Sequence, residues 1–278
     1  PKTPFPDNAG SRLDDLFSGD TSAGADRQRL AAFCAVRNRL TIITGGPGTG
    51  KTHTIARVMA MLSEAHGRDK DDHPFRIRLA APTGKAAARM AESIRSAKQA
   101  PELQHIAEQI PENAGTLHRL LGMRPGRAFP RHNRQNPLQV ETLIVDEASM
   151  IDLPLMAKLI AAMPANARLI LLGDMNQLAS VDPGAVLHDI CQAGAPQNFS
   201  PALNKDYSKH TGHSLPEDDL TAETCPPLTD CIVRLTHSRR FGEESAIANV
   251  SAAINNGKVD RVISGLKEHK PDLLWYPD

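Results

Sequence analysis

Short apolar runs alternate along this chain with stretches of helical periodicity. The runs are LTIIT (40–44), RIRLA (76–80), TLIVD (142–146), RLILLG (168–173) and IVRL (232–235). Each is too short for a buried helix and is bounded by turn residues or a charge, so each predicts a strand. Between them Ile55, Val58, Met59 and Leu62 recur at i, i+3, i+4 and i+7, and Leu153, Met156, Leu159, Ile160 and Met163 keep a similar stripe. Such stripes predict helices with one face turned inward, and a helix is also expected from Asp26. Strand then helix, repeated, predicts an α/β fold: a mostly parallel sheet flanked by helices on both faces.

Two segments break this rhythm. Residues 96–140 read as a short helical piece followed by a loop-like basic stretch. Residues 194–229 are polar and proline-bearing, and read as a mobile loop. Residues 1–25 are rich in Pro, Gly, Asp and Ser, which predicts a linker with one apolar anchor at Leu13, Leu16 and Phe17.

Two strand ends carry chemistry outright. GGPGTGKT (45–52) follows a strand and opens a helix, the context in which this spacing forms a phosphate loop. Backbone N–H groups of Gly46, Pro47's neighbours Gly48, Thr49 and Gly50, and Thr52 can wrap a phosphate at the positive end of the helix. In this reading the whole loop from Gly45, Pro47 included, binds ATP, Lys51 reaches the β- and γ-phosphates, and the Thr52 hydroxyl takes Mg²⁺. TLIVDEAS places Asp146 and Glu147 at the end of an apolar strand; Asp146 suits Mg²⁺ through water, and Glu147 suits activation of the attacking water. At a third strand end, LILLGDMNQ sets Asp174 and Gln177 where a glutamine can sense the γ-phosphate.

LAAPTGKAAARM (79–90) resembles a second phosphate loop but has Leu79 where the first glycine belongs, so it cannot wrap a triphosphate. Pro82, Thr83, Gly84, Lys85 and the helix amides behind them suit a single backbone phosphate of DNA. A second basic element follows: residues 113–140 hold no Asp or Glu but carry Arg119, Arg124, Arg127, Arg131 and Arg134, interleaved with His118, His132 and Phe129. Arginines there would neutralise phosphates, and Phe129 could stack on a base.

Composition narrows the setting. Lys+Arg 32 balances Asp+Glu 32, so any nucleic-acid signal is local rather than global. No apolar run approaches the ~18 residues that span a bilayer, and no signal peptide is visible, although an initial proline suggests a trimmed chain. The four cysteines are scattered without a CxxC pair, which predicts reduced thiols in a cytoplasmic protein and no zinc site.

Taken jointly, ITGGPGTGKT, RLAAPTGKAAARM, TLHRLLG, IVDEASMIDL, LLGDMNQLASVDPGAVL and LTHSRRFG resemble, in order, the motifs of the RecD-like superfamily 1 DNA helicases. Within that family they are most similar to the RecD subunits of exodeoxyribonuclease V. The resemblance implies a RecA-like P-loop NTPase domain, ATP and Mg²⁺ as cofactors, and 5′→3′ translocation on single-stranded or duplex-end DNA in break repair and recombination. It implies sibling subunits RecB and RecC as partners, and no membrane.

Position by position it assigns Gln28 to adenine, Gln177 to γ-phosphate sensing, and Arg240 to the γ-phosphate. Arg239 stands where family members usually carry Tyr, so which of the two arginines points inward stays open. The basic element at 113–140, read from its composition, sets His118, Arg119 and Phe129 on DNA. The resemblance also implies 1–25 as the end of a linker from a missing N-terminal domain, 26–240 as the first motor domain, and 241–278 as the start of a truncated second one.

Three rivals stand beside this reading: a RecD-like domain of another assembly such as a conjugative relaxase, an AAA+ remodelling ATPase, and a non-catalytic ATP-gated DNA clamp. A nuclease centre at Glu268 and Lys270 with Asp260 is rejected, because the stretch is helix-like rather than a strand hairpin.

Overall fold

A computed structural model of the 278-residue chain describes residues 9–17, 25–66, 75–127, 129–177, 186–194, 198–221, 226, 228–237, 245–255, 257–268 and 272–273. The order of elements is α1 (Ala9–Phe17), α2 (Ala25–Arg37), β1 (Leu40–Gly45), α3 (Lys51–His66), β2 (Ile77–Ala81), α4 (Gly84–Ala97), a 3-10 helix at Pro101–Gln109, β3 (Ala114–Thr116), α5 (Leu117–Leu120) and β4 (Thr142–Val145). Then come α6 (Leu153–Ala162), β5 (Arg168–Gly173), α7 (Val186–Ala193), α8 (Pro201–Thr211), β6 (Ile232–Leu235), α9 (Ala246–Asn255) and α10 (Val259–Lys267).

The strands form one sheet in the order β3-β2-β4-β5-β1-β6, parallel at every pairing. Side chains of a strand alternate between faces, and the core divides accordingly. Ile43, Ile144, Ile170 and Leu172 pack with α1 to α4 and α8 on one face. Ile42, Leu143, Leu169 and Leu171 pack with α5, α6 and α7 on the other. The two-faced α/β sheet expected from the periodicity is therefore present, and it is RecA-like in placing the strand of the phosphate loop two positions from the strand that ends at Asp146.

Three departures from expectation have identifiable causes. The short edge strand β3 carries no strand signal of its own, because Ala114-Gly115-Thr116 has no β-branched run; it exists through its register with β2, Leu79 against Ala114 and Ala81 against Thr116. Residues 198–221 are part of the folded core, not the mobile loop expected for 194–229. Ser200 caps α8 by accepting from Leu203 N–H, Pro201 opens the helix, and Gly212 ends it at φ 71°. Phe199, Leu203 and Tyr207, spaced by four, are all buried, with Tyr207 edge-on to Phe33 at 5.1 Å.

The third concerns the anchor within 1–25, which is a helix. Leu13, Leu16 and Phe17 are buried, Arg12 pairs with Glu64 at 2.7 Å, and Arg57 both donates to the Leu16 carbonyl and lies over the Phe17 ring. At the other end of the chain Asp260 lies in α10, which ends just before Glu268, and Lys270 lies outside the described residues. No helix of the described residues is long and apolar enough to cross a membrane.

Candidate nucleotide and nucleic-acid site

Because every strand runs the same way, all six C-terminal ends lie on one edge of the sheet, where ligands bind in open α/β folds. β1 delivers the phosphate loop to that edge. Gly48 and Gly50 hold φ of 79° and 86°, conformations that favour glycine. A Cβ on Gly50 would stand 2.2 Å from Gln28 Nε2, so the glycine also makes room for a neighbour. Gln28 is buried, donates through Nε2 to the Thr49 carbonyl at 3.0 Å, and leaves Oε1 buried without a partner.

Lys51 opens α3 and folds back over the loop, donating to the carbonyls of Gly45 (2.5 Å) and Gly46 (3.1 Å). Burial pulls its pKa below the ordinary lysine value, while Asp174, Asp146 and Glu147 oppose that pull. These carboxylates arrive from the two strands next along the sheet. Asp146 accepts from the Glu147 backbone N–H at 2.9 Å; burial raises its pKa, and that hydrogen bond and Lys51 oppose the rise.

Glu147 has φ 53° and ψ 40°, making it the one non-glycine residue with positive φ among those described. Left-handed backbone costs a residue with a Cβ about 1–2 kcal/mol. Strain of this kind collects at functional sites. Burial and then the adjacent Asp146 push the Glu147 pKa up, which suits a carboxylate that must accept a proton; Lys51 and Arg89 pull it down.

At the end of β5, Asp174 is buried and its Oδ1 accepts from Asn176 N–H. Met175 N–H donates to Thr44 Oγ1 at 3.0 Å, joining this turn to β1. Gln177 closes the turn by donating its N–H to the Asp174 carbonyl, and its side chain is exposed. His188 of α7 bonds the Met175 carbonyl through Nδ1 at 2.9 Å, and Gln192 bonds the other ring nitrogen.

The same edge carries the second set of turns. Thr83 caps α4, its Oγ1 accepting from Ala86 N–H at 3.2 Å, and Gly84 and Lys85 stand exposed behind half-buried Pro82. One strand further out, Thr116 caps α5 in the same way, accepting from Arg119 N–H, with His118 and Arg119 exposed. Asp146 N–H donates to the Ala80 carbonyl at 2.9 Å, so the acidic turn and the Pro82–Lys85 turn extend neighbouring strands. Three strand spacings separate β1 from β2, which is about 14 Å.

The fold thus gathers Lys51, Thr52, Asp146, Glu147 and Asp174 around one loop, with Gln28 behind it and the Pro82–Lys85 turn along the same edge. Phe129 stands apart, 83% exposed in the loop before β4. Arg239 and Arg240 lie outside the described residues. Three positions escaped the sequence reading: Thr44, Arg89 and His188, whose roles arise only from contacts between elements distant in sequence.

Residues 28–183 match the model of a family described as AAA domain. The chain is 42% identical over 256 residues to the RecBCD enzyme subunit RecD of Haemophilus influenzae, covering 90% of this chain and 38% of that protein. It is 47% identical over 254 residues to the RecBCD enzyme subunit RecD of Mycolicibacterium smegmatis, covering 91% and 39%. Against the ATP-dependent RecD2 DNA helicase of Deinococcus radiodurans it is 41% identical over 156 residues, 56% of this chain and 18% of that one. The chain therefore spans about two-fifths of the length of the RecD subunits it matches. With its phosphate loop and acidic strand ends sharing one sheet edge inside the matched region, the chain belongs to the AAA domain family, and within it is similar to RecD subunits.

Proposed function

We propose that the chain is the nucleotide-binding part of an ATP-dependent DNA helicase: a 5′→3′ translocase on single-stranded DNA, acting with RecB and RecC partners as exodeoxyribonuclease V in break repair. One observation carries this reading. The phosphate loop and the Pro82–Lys85 turn extend strands of the same sheet edge about 14 Å apart, with the carboxylates of β4 and β5 between them, an arrangement that suits one sheet to holding both ligands.

The residues fit a nucleotide. Gln28 offers a buried acceptor without a partner, suited to an adenine amino group, and Gly46 leaves open space where a side chain would stand. On arrival of a triphosphate, Lys51 exchanges the Gly45 and Gly46 carbonyls for phosphate oxygens. Thr52 and Asp146 are the groups that would hold Mg²⁺, which when bound neutralises phosphate charge. Glu147 orients a water molecule and accepts its proton. The Asp174–Gln177 turn reads loss of the γ-phosphate, and the Thr44–Met175 hydrogen bond passes the change to β1. Arg240 supplies positive charge to the γ-phosphate. The Thr83–Lys85 turn grips a DNA phosphate and, with His118 and Arg119 beside it, forms the track.

The rival AAA+ remodelling reading gives the Pro82–Lys85 turn nothing to hold. The deciding experiment is ATP hydrolysis by the full-length protein with and without single-stranded DNA. Stimulation of roughly tenfold or more is expected. Hydrolysis indifferent to DNA would favour the remodelling class, and DNA binding without hydrolysis would favour a clamp.

A further inference from the structure

A groove opens on the flank of the sheet, next to the site but below its edge. Its floor is Ala114 and Gly115 of the edge strand β3. Its walls carry Arg78 from β2, Arg119 from α5, and Arg131 and His132 from the loop before β4. The cavity measures about 680 Å³.

Arg78 is exposed between two buried positions of its strand. Ile77 and Leu79 belong to the core on the α4 side, so Arg78 and Ala80 face the opposite side. A strand covered on both faces reads as a near-continuous apolar run, and the exposed Arg78 interrupts it. Among the described residues the groove has no carboxylate in its lining, and the sequence of residues 113–140 contains none at all. Arg78, Arg119, Arg131 and His132 form no ion pair with any described residue, whereas Arg95 and Lys98 nearby both pair with Glu112. Three like charges converging without counter-charge repel one another until a polyanion arrives.

We propose that this groove holds the backbone of single-stranded DNA continuing from the Thr83–Lys85 turn down the flank of the sheet, with Arg78, Arg119 and Arg131 on phosphates. The proposal rests on the DNA reading given above. Continuity favours nucleic acid over an acidic protein segment. Arg119 is shared between the edge turn and the groove, and Arg78 lies three residues before the end of β2, about 10 Å below the edge. A strand gripped at the edge therefore reaches the groove within a few nucleotides.

The test is binding of fluorescent oligothymidylates of about two and about twelve nucleotides across a salt series, the first too short to reach the groove from the edge turn and the second within the common range of site sizes. The protein would be compared with an Arg78→Gln/Arg131→Gln double variant and with Lys85→Ala. The double variant should bind the long oligonucleotide about tenfold more weakly, with a salt slope shallower by about 1.4, and bind the short one unchanged. Lys85→Ala should weaken both lengths. If the double variant fails to fold, Arg131→Gln alone should flatten the slope by about 0.7. Equal affinity and slope for the parent and the double variant on the long strand, with Lys85→Ala still weakened, would overturn the groove while leaving the edge turn as the DNA site. Failure of the parent to bind either length would overturn the DNA reading itself. Displacement of the long strand by polyglutamate as readily as by unlabelled oligothymidylate would assign the groove to an acidic protein segment and overturn the proposal.

Discussion

Met175 N–H donates to the hydroxyl of Thr44 at 3.0 Å, tying the turn that begins at buried Asp174 to the strand that ends in the phosphate loop. The two residues are distant in sequence but sit on paired strands, Thr44 opposite Gly173 in the register. Thr44→Val keeps the shape and removes the acceptor. It should cost about 1–2 kcal/mol of stability, because the N–H is left half-buried and unpaired. Chemical denaturation measures that cost. Turnover of ATP by the same variant should fall further than its ATP affinity, since the lost bond joins the sensing turn to the loop rather than touching the nucleotide.

Glu147 stores backbone strain at the position proposed to activate water. Glu147→Gly removes the Cβ that makes φ 53° costly and should stabilise the fold by up to about 1 kcal/mol while abolishing ATP hydrolysis. Glu147→Gln should abolish hydrolysis without the gain. Thermal melting and single-turnover hydrolysis of the two variants separate these effects. A destabilised glycine variant would show that the strain is offset by contacts of the carboxylate.

Gly50→Ala should be severe for two reasons that act together. The φ of 86° disfavours any Cβ, and the added methyl would meet Gln28 Nε2 at 2.2 Å. Loss of nucleotide affinity of tenfold or more is expected by equilibrium titration with a fluorescent ATP analogue, roughly 1.4 kcal/mol. Pairing the change with Gln28→Ala should recover only the steric part.

Ser200→Ala tests whether 198–221 belong to the cooperative fold. Loss of the cap on α8 should lower unfolding free energy by about 1 kcal/mol, with the far-UV spectrum unchanged. A silent substitution would restore the loop-like expectation for this segment.

What was readable in the chain, and what was not, follows from the range of the forces involved. β1 and β4 were legible because LTIIT and TLIV are apolar, β-branched and followed at once by residues of distinct chemistry, Gly45–Thr52 and Asp146–Glu147. β3 was not, because three small residues become a strand only by pairing with β2. α8 reads as loop in the sequence because Lys205, Asp206, Ser208 and Lys209 dominate its composition, while the buried Phe199, Leu203 and Tyr207 signal it only by their spacing. At the site, Lys51, Asp146 and Glu147 announce themselves locally. The left-handed turn at Glu147, the Thr44–Met175 bond and the flank position of Arg78 are products of tertiary placement, and no short-range pattern encodes them.

The proposed function requires one sheet edge to hold a triphosphate and a DNA backbone on separate turns. Its most direct test measures both affinities in the same two variants, Lys51→Gln and Lys85→Ala. Lys85→Ala should bind single-stranded DNA about five- to tenfold more weakly, as loss of one charge-assisted phosphate contact requires, and bind ATP as the parent does. Lys51→Gln should show the converse. Equal loss of both ligands in Lys85→Ala, with the fold intact, would contradict it.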